Sequence, residues 1–203
     1  MITNTRQEDQ VRKLLQEKGV LRTREALEHG IHHETLQRMV EKRSIRRIVR
    51  GQYILSEHEL TEKVSLAMVS KHAPNGVICL LSALRYYEIG TQNPHQIWLA
   101  LGQKQWAPQI KYPPIRVMRY SDRTLSEGVE EVTLEGVTVK IFNIPKTVVD
   151  CFKYRNKVGI DVAIEALRDV IGRGLCKINA FTPYAKTARV QRVMRPYIEA
   201  LIE

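Results

Sequence analysis

Apolar residues in the first sixty positions recur at helical spacing in three short blocks and then switch to strand spacing. Val11, Leu14 and Leu15 make the i, i+3, i+4 stripe of an amphipathic helix over about Arg6 to Lys18, and Gly19 suits the position just past its end. Thr23 is a good N-cap for a shorter helix, Arg24 to Glu28, with Ala26 and Leu27 expected inward. Gly30 breaks the pattern. A third helix is expected over His33 to Lys42, burying Leu36, Met39 and Val40. Ile45, Ile48 and Val49, then Tyr53, Ile54 and Leu55, are β-prone runs on either side of Arg50-Gly51-Gln52, which is a hairpin signal. Helix, short helix, the turn Glu28-His29-Gly30-Ile31-His32, helix and basic hairpin form the order of a winged helix-turn-helix. Ile31 supplies the apolar plug that the motif needs between its two helices.

The remainder reads as α+β. Residues 56–72 are a polar linker entering a helix with Leu60, Val64, Met68 and Lys71 near one face, and Pro74-Asn75-Gly76 is a turn. A helix over Leu81 to Tyr87 stops at Gly90. Strands are expected at Gln96–Leu101, Ile115–Arg119, Val129–Leu134 and Val137–Ile141, the last two joined by Glu135-Gly136. Alternation in the final strand gives it one buried face and one wet face. Pro145 suits the first turn of a helix to Tyr154, and helices at Ile160–Gly172, Asn179–Ala188 and Arg189–Ile202 follow. The expected architecture is a winged helix-turn-helix over 1–58, then an α+β domain over 59–203 with a small mixed or antiparallel sheet and several helices.

Charge sharpens this. Lys and Arg outnumber Asp and Glu 32 to 22, which favours an anionic partner, nucleic acid first. The excess is not concentrated in the first part: residues 1–60 carry 12 basic and 9 acidic residues, and residues 61–203 carry 20 and 13. The local pattern is more specific. Arg38, Lys42, Arg43, Arg46, Arg47 and Arg50 crowd the end of the third helix and the hairpin, with Glu41 the single acid among them. Gln pairs with adenine, Arg with guanine, and Thr touches a thymine methyl, so His33, Thr35, Gln37 and Arg38 are the candidates for base edges. Lys42, Arg43, Arg46, Arg47 and Arg50 are the candidates for phosphates or the minor groove. A solvated helix face is the plain alternative for the helix alone, and the basic hairpin beside it tips the balance to DNA.

Other chemistries find little support. No apolar run approaches the ~18–20 residues needed to span a bilayer, and Met1–Gln10 is too polar for a secretion signal, so a cytoplasmic protein is expected. Cys79, Cys151 and Cys176 are odd in number and far apart, which fits buried free thiols. His29, His32 and His33 lack a carboxylate or thiol cluster to complete a metal site, and no metal or cofactor is expected. Glu165 and Asp169 lie i, i+4 beside Arg168 and Arg173, as in surface ion pairing. The strand Val137–Ile141 carries no acid, and no phosphate loop, Gly-x-Ser-x-Gly or Cys/His couple is present, so an enzyme is not expected. Among the aromatics, Trp106 alone reads as exposed on a loop, and Tyr86, Tyr87, Trp98, Tyr112 and Tyr120 read as core or sheet-edge residues. The string Lys146, Lys153, Arg155 and Lys157 around Asp150 is a second candidate surface.

Three segments carry a family resemblance: Arg50-Gly51-Gln52-Tyr53-Ile54-Leu55; Cys79-Leu80-Leu81-Ser82-Ala83-Leu84 leading to Thr91-Gln92-Asn93-Pro94-His95; and Gly136-Val137 followed by Pro145-Lys146-Thr147-Val148-Val149-Asp150-Cys151-Phe152-Lys153. The chain resembles the AbiEi antitoxins of abortive-infection type IV toxin–antitoxin systems over nearly its whole length. The resemblance implies an autorepressor whose head binds inverted repeats of its own promoter as two protomers. It also implies a C-terminal domain that counteracts a neighbouring nucleotidyltransferase toxin without a stable complex, with Lys146, Asp150, Lys153 and Arg155 as the possible antitoxic surface. A stand-alone DNA-binding regulator, an RNA-binding module and a degenerate nuclease-like protein are the alternatives.

Overall fold

The computed structural model describes residues 2–56, 61–110 and 112–202. Three helices open the chain, α1 (Ile2–Lys18), α2 (Thr23–Glu28) and α3 (His33–Glu41). They pack on an antiparallel sheet of β1 (Leu21–Arg22), β2 (Ile45–Val49) and β3 (Gln52–Leu55), in the order β1-β3-β2. This is the winged helix that the sequence order predicts. Val11, Leu14, Leu15, Leu36 and Met39 fill its core, and Ile31, in the turn between α2 and α3, is fully buried.

Three local details differ from expectation. Arg22 caps α2 in place of Thr23, its backbone N–H donating to the Glu25 carboxylate at 2.8 Å. Leu27 is 54% exposed, because in a helix of six residues only Ala26 reaches the core. β1 is a third strand that two residues are too few to announce by alternation. The end of α3 is built as its connection to β2 requires. Arg43 turns left-handed (φ 54°), its N–H donating to Val40 O and that of Ser44 to Met39 O, both at 2.9 Å. Glycine is the usual residue at that place.

The second part contains α4 (Glu62–His72), β4 (Val77–Ile78), α5 (Leu80–Tyr86), β5 (Ile97–Gly102), β6 (Ile115–Tyr120), α6 (Asp122–Ser126), β7 (Val129–Leu134) and β8 (Val137–Phe142). Then come α7 (Ile144–Lys153), α8 (Arg155–Val158), α9 (Ile160–Gly172), a 3-10 turn (Ile178–Phe181), α10 (Thr182–Ala188) and α11 (Gln191–Ile202). The sheet is mixed, in the order β6-β5-β4-β8-β7, with β4–β8 and β5–β6 parallel. Its central β4 was not legible because it is two residues long. β5 is buried along its whole length. Trp98 and Ala100 face a core shared with α5, α7 and α9, and Ile97, Leu99 and Leu101 face one shared with α4. β8 alternates as expected, with Val137, Val139 and Ile141 buried.

The two parts meet over a small apolar core of Val20, Ile54, Val64 and Met68, with Ile48 and Ile110 at its edge. Lys71 of α4 is 9% exposed, and its ammonium donates to Val20 O and to the Glu25 carboxylate at 3.1 Å. The Glu135-Gly136 turn presses on the end of α1. A Cβ on Gly136 (φ +66°) would stand 2.8 Å from Glu17 O, and one on Gly19 (φ +64°) would stand 2.5 Å from Glu135. The expected boundary at 58/59 and the expected facial residue Leu60 lie outside the described residues.

Because Arg43 holds a conformation that disfavours a side chain, Arg43→Gly is expected to stabilise the fold by about 0.5–1 kcal/mol. Urea titration checks this, and an unchanged midpoint would show that the turn carries no strain.

Candidate nucleic-acid interface and a buried charge pair

Helix α3 presents His33 and Gln37 to solvent, and the turn and hairpin that follow present Lys42, Arg43, Arg46, Arg47 and Arg50. These seven of the nine sequence-predicted DNA contacts lie on surface, along one continuous helix–turn–hairpin segment. Arg47 opposes Tyr53 across the hairpin, and a bulge follows it, placing Val49 opposite Gln52. Ile48, within the bulge, turns toward the core shared with α4.

Thr35 is not on this face. It is 2% exposed, and its hydroxyl donates to the Gln7 side chain of α1 at 2.7 Å, so it cannot meet a thymine methyl. Helical phase explains the difference: Thr35 is adjacent to the buried Leu36 and one turn before the buried Met39. Arg38 is half-buried rather than fully presented. Its Nε stands 3.1 Å from Glu8 Oε1, and Lys42 Nζ stands 3.0 Å from the same oxygen. The hydrogen bond from Lys42 comes first among the causes that hold the Glu8 carboxyl below its ordinary value, with burial opposing it. One acid of α1 therefore restrains two of the predicted DNA-contacting cations. Sequence reasoning missed this pairing because the residues lie 30 and 34 positions apart.

The second candidate surface divides into two layers. Lys146 and Asp150, on one face of α7, are 2% and 0% exposed and form an ion pair with both oxygens bridged, at 2.7 and 2.8 Å. Neither is part of a surface, which corrects the expectation for both. The cause is their place in the helix. Asn143 caps α7 by accepting from Lys146 N–H at 3.0 Å, and this points the face holding Lys146 and Asp150 at the sheet. The ammonium sits 5.3 Å from the ring centre of Tyr120 and 5.0 Å from that of Phe142. Burial holds the Asp150 carboxyl above its ordinary value, with Lys146 pulling the other way. Burial, then the Asp150 charge, suppresses the acidity of the Tyr120 hydroxyl. Lys153 and Arg155 are half-buried: Lys153 lies over the rings of Tyr154 and Tyr120 at 5.5 and 5.8 Å, and Arg155 donates to Phe152 O at 3.0 Å.

Cys79 and Cys151 are buried, whereas Cys176 is half-buried, and burial raises all three thiols. That removes the thiolate on which cysteine nucleophiles depend. Asp169 pairs with Arg173 at 3.0 Å as expected. It and Glu165 also accept from the backbone N–H groups of Gly90 and Thr91, so both carboxylates fasten a loop. Among the described residues no group of three or more His, Cys, Asp or Glu is placed to hold a metal ion. Among them, too, no helix is long and apolar enough to cross a membrane.

The fold defines a chain in which a winged helix precedes an α+β part built on a mixed five-stranded sheet. It is similar to the crystal structure of the RV2827C protein from Mycobacterium tuberculosis, with a TM-score of 0.60 over 89% of this chain and 71% of that one. The two sequences are 11% identical, so the likeness is one of fold. No protein-family model matches the chain, and no curated protein matches it.

Two measurements follow. Lys146→Met strands a buried carboxylate and is expected to cost about 3–5 kcal/mol, while Lys146→Met with Asp150→Leu recovers most of that loss. Equal instability of the single and double variants in denaturant titration would contradict the ion-pair account. Glu8→Gln removes the carboxylate that Arg38 and Lys42 share and is expected to steepen the salt dependence of duplex binding by up to about 2 in log–log slope. An unchanged slope would show that neither cation reaches phosphate.

Proposed function

We propose that this chain is a duplex-DNA-binding autorepressor of the AbiEi kind and the antitoxin of a type IV toxin–antitoxin operon. The observation that carries the DNA reading is the array of exposed cations on the α3–β2 turn and the hairpin: Lys42, Arg43, Arg46, Arg47 and Arg50, with Glu41 the one acid among them. Cations spaced along a helix end and a hairpin match a phosphate backbone, which supplies affinity without choice of sequence. Choice of sequence falls to His33 and Gln37 at the exposed start and middle of α3, joined by Arg38 when DNA displaces it from Glu8. Two protomers on an inverted repeat place their recognition helices about 34–36 Å apart, one helical turn of DNA, and occlude the promoter.

The antitoxin half of the reading rests on the three motif segments and their AbiEi resemblance. Lys153 and Arg155 are the members of the proposed antitoxic set that solvent still reaches, and Lys146 and Asp150 act beneath them by fixing α7. The partner is a nucleotidyltransferase toxin encoded alongside, countered without a lasting complex.

Arg46→Ala with Arg47→Ala is expected to weaken binding to every duplex and to flatten the salt slope by about 2. Co-expression of this variant with the adjacent gene is expected to preserve rescue from toxicity. Promoter binding that survives unchanged would refute the wing assignment. Loss of rescue by a folded double variant would refute the division of labour between head and C-terminal part.

A further inference from the structure

Trp106 is 95% exposed, the most exposed large apolar side chain among the described residues. It stands on the connection between β5 and β6, which also leaves Tyr112 at 41% exposure. The connection is braced where the indole leaves it. Arg119 of β6 donates to Gly102 O at 2.8 Å and to Gln105 O, the residue before Trp106, and the Gln105 side chain accepts from Gly102 N–H at 2.9 Å.

The stretch that carries it is short of acids, although Asp122 lines the same pocket as Gln105. From Ile89 to Ser121 the sequence contains no Asp or Glu, while Lys104, Lys111, Arg116 and Arg119 fall within the same stretch. Arg116 is committed, lying 4.2 Å above the buried Trp98 ring, Arg119 is exposed but donates through Nη1 to Gly102 O and Gln105 O, and Lys104 is exposed. Protein-binding hot spots seat an aromatic among packed apolar neighbours. Here the exposed residues near it on the loop are Gln103, Lys104, Ala107 and Gln109, with Tyr112 the other exposed aromatic of the connection. A flat exposed ring on a loop that also carries Lys104 suits an unpaired base, which stacks on the ring while adjoining phosphates meet the cations. A duplex offers no free base face.

We propose that the β5–β6 connection binds single-stranded nucleic acid, with a base stacked on Trp106 and the flanking phosphates on Lys104 and Arg119. The proposal does not depend on the promoter reading, although Ile110 of the same connection packs with Ile48 and Ile54 of the hairpin.

The two tryptophans give a direct readout, since Trp98 is 3% exposed and Trp106 is open to solvent. Short oligo(U), short oligo(dT) and a random duplex are titrated into the full chain while its tryptophan emission is followed. Quenching by either single strand is expected, and comparison of the two tells RNA from DNA. Trp106→Ala is expected to abolish the quenching and to weaken binding of labelled oligonucleotide about tenfold or more. Trp106→Phe, which keeps a stacking face, is expected to retain most of the affinity, and Arg46→Ala with Arg47→Ala to leave single-strand binding intact. Absence of quenching, equal quenching by the duplex or by polyglutamate, or undiminished binding by a folded Trp106→Ala variant would each overturn the proposal.

Discussion

The Lys71 ammonium fixes how the two parts of the molecule sit. It is nearly buried, and burial lowers its proton affinity against the pull of Glu25. Such a group is tolerated only where oxygens surround it. Val20 O and the Glu25 carboxylate supply them, and both belong to the head. Glu25 is also the residue that satisfies the Arg22 N–H at the start of α2. One carboxylate therefore ends an open helix and receives a cation from α4. The apolar contacts of Val20, Ile54, Val64 and Met68 lie in the same region, so direction comes from the polar groups and adhesion from the apolar ones.

The Lys146–Asp150 pair has a different physical character. Its charges sit among Tyr120 and Phe142 rings, and desolvation weighs on Asp150 more than Lys146 relieves it. A pair like this adds little net stability, because the cost of desolvating its charges offsets their attraction. Glu8 acts in the opposite setting, at the rim of α1. There it holds Arg38 and Lys42 in a place where a stronger polyanion can compete for them.

Much of the fold was legible because periodicity reports burial. The stripe of Val11, Leu14 and Leu15, the plug Ile31 and the alternation along β8 all answered to their spacing. Short elements were not legible: β1 and β4 have two residues each, too few to repeat a period. Thr35 shows why the candidate site was harder. Polarity suggested exposure, but helical phase placed it beside Leu36, and a partner from α1 satisfied its hydroxyl. Lys146 and Asp150 failed in the same way, since a charged pair can enter a core when each member brings the other's counterion. Trp106 read correctly because its neighbours Lys104, Gln105 and Pro108 are loop residues with no apolar period.

The close approach of Gly19 and Gly136 bears on how freely such a head can be exchanged between proteins. Each lies at a positive φ, and a methyl group on either would collide with the other part of the molecule. A transplanted head would have to bring a glycine at the end of its first helix and meet a hairpin tip of matching shape. It would also have to cover Val64 and Met68, which a cut through 57–60 would leave facing water. The join is thus a fitted seam.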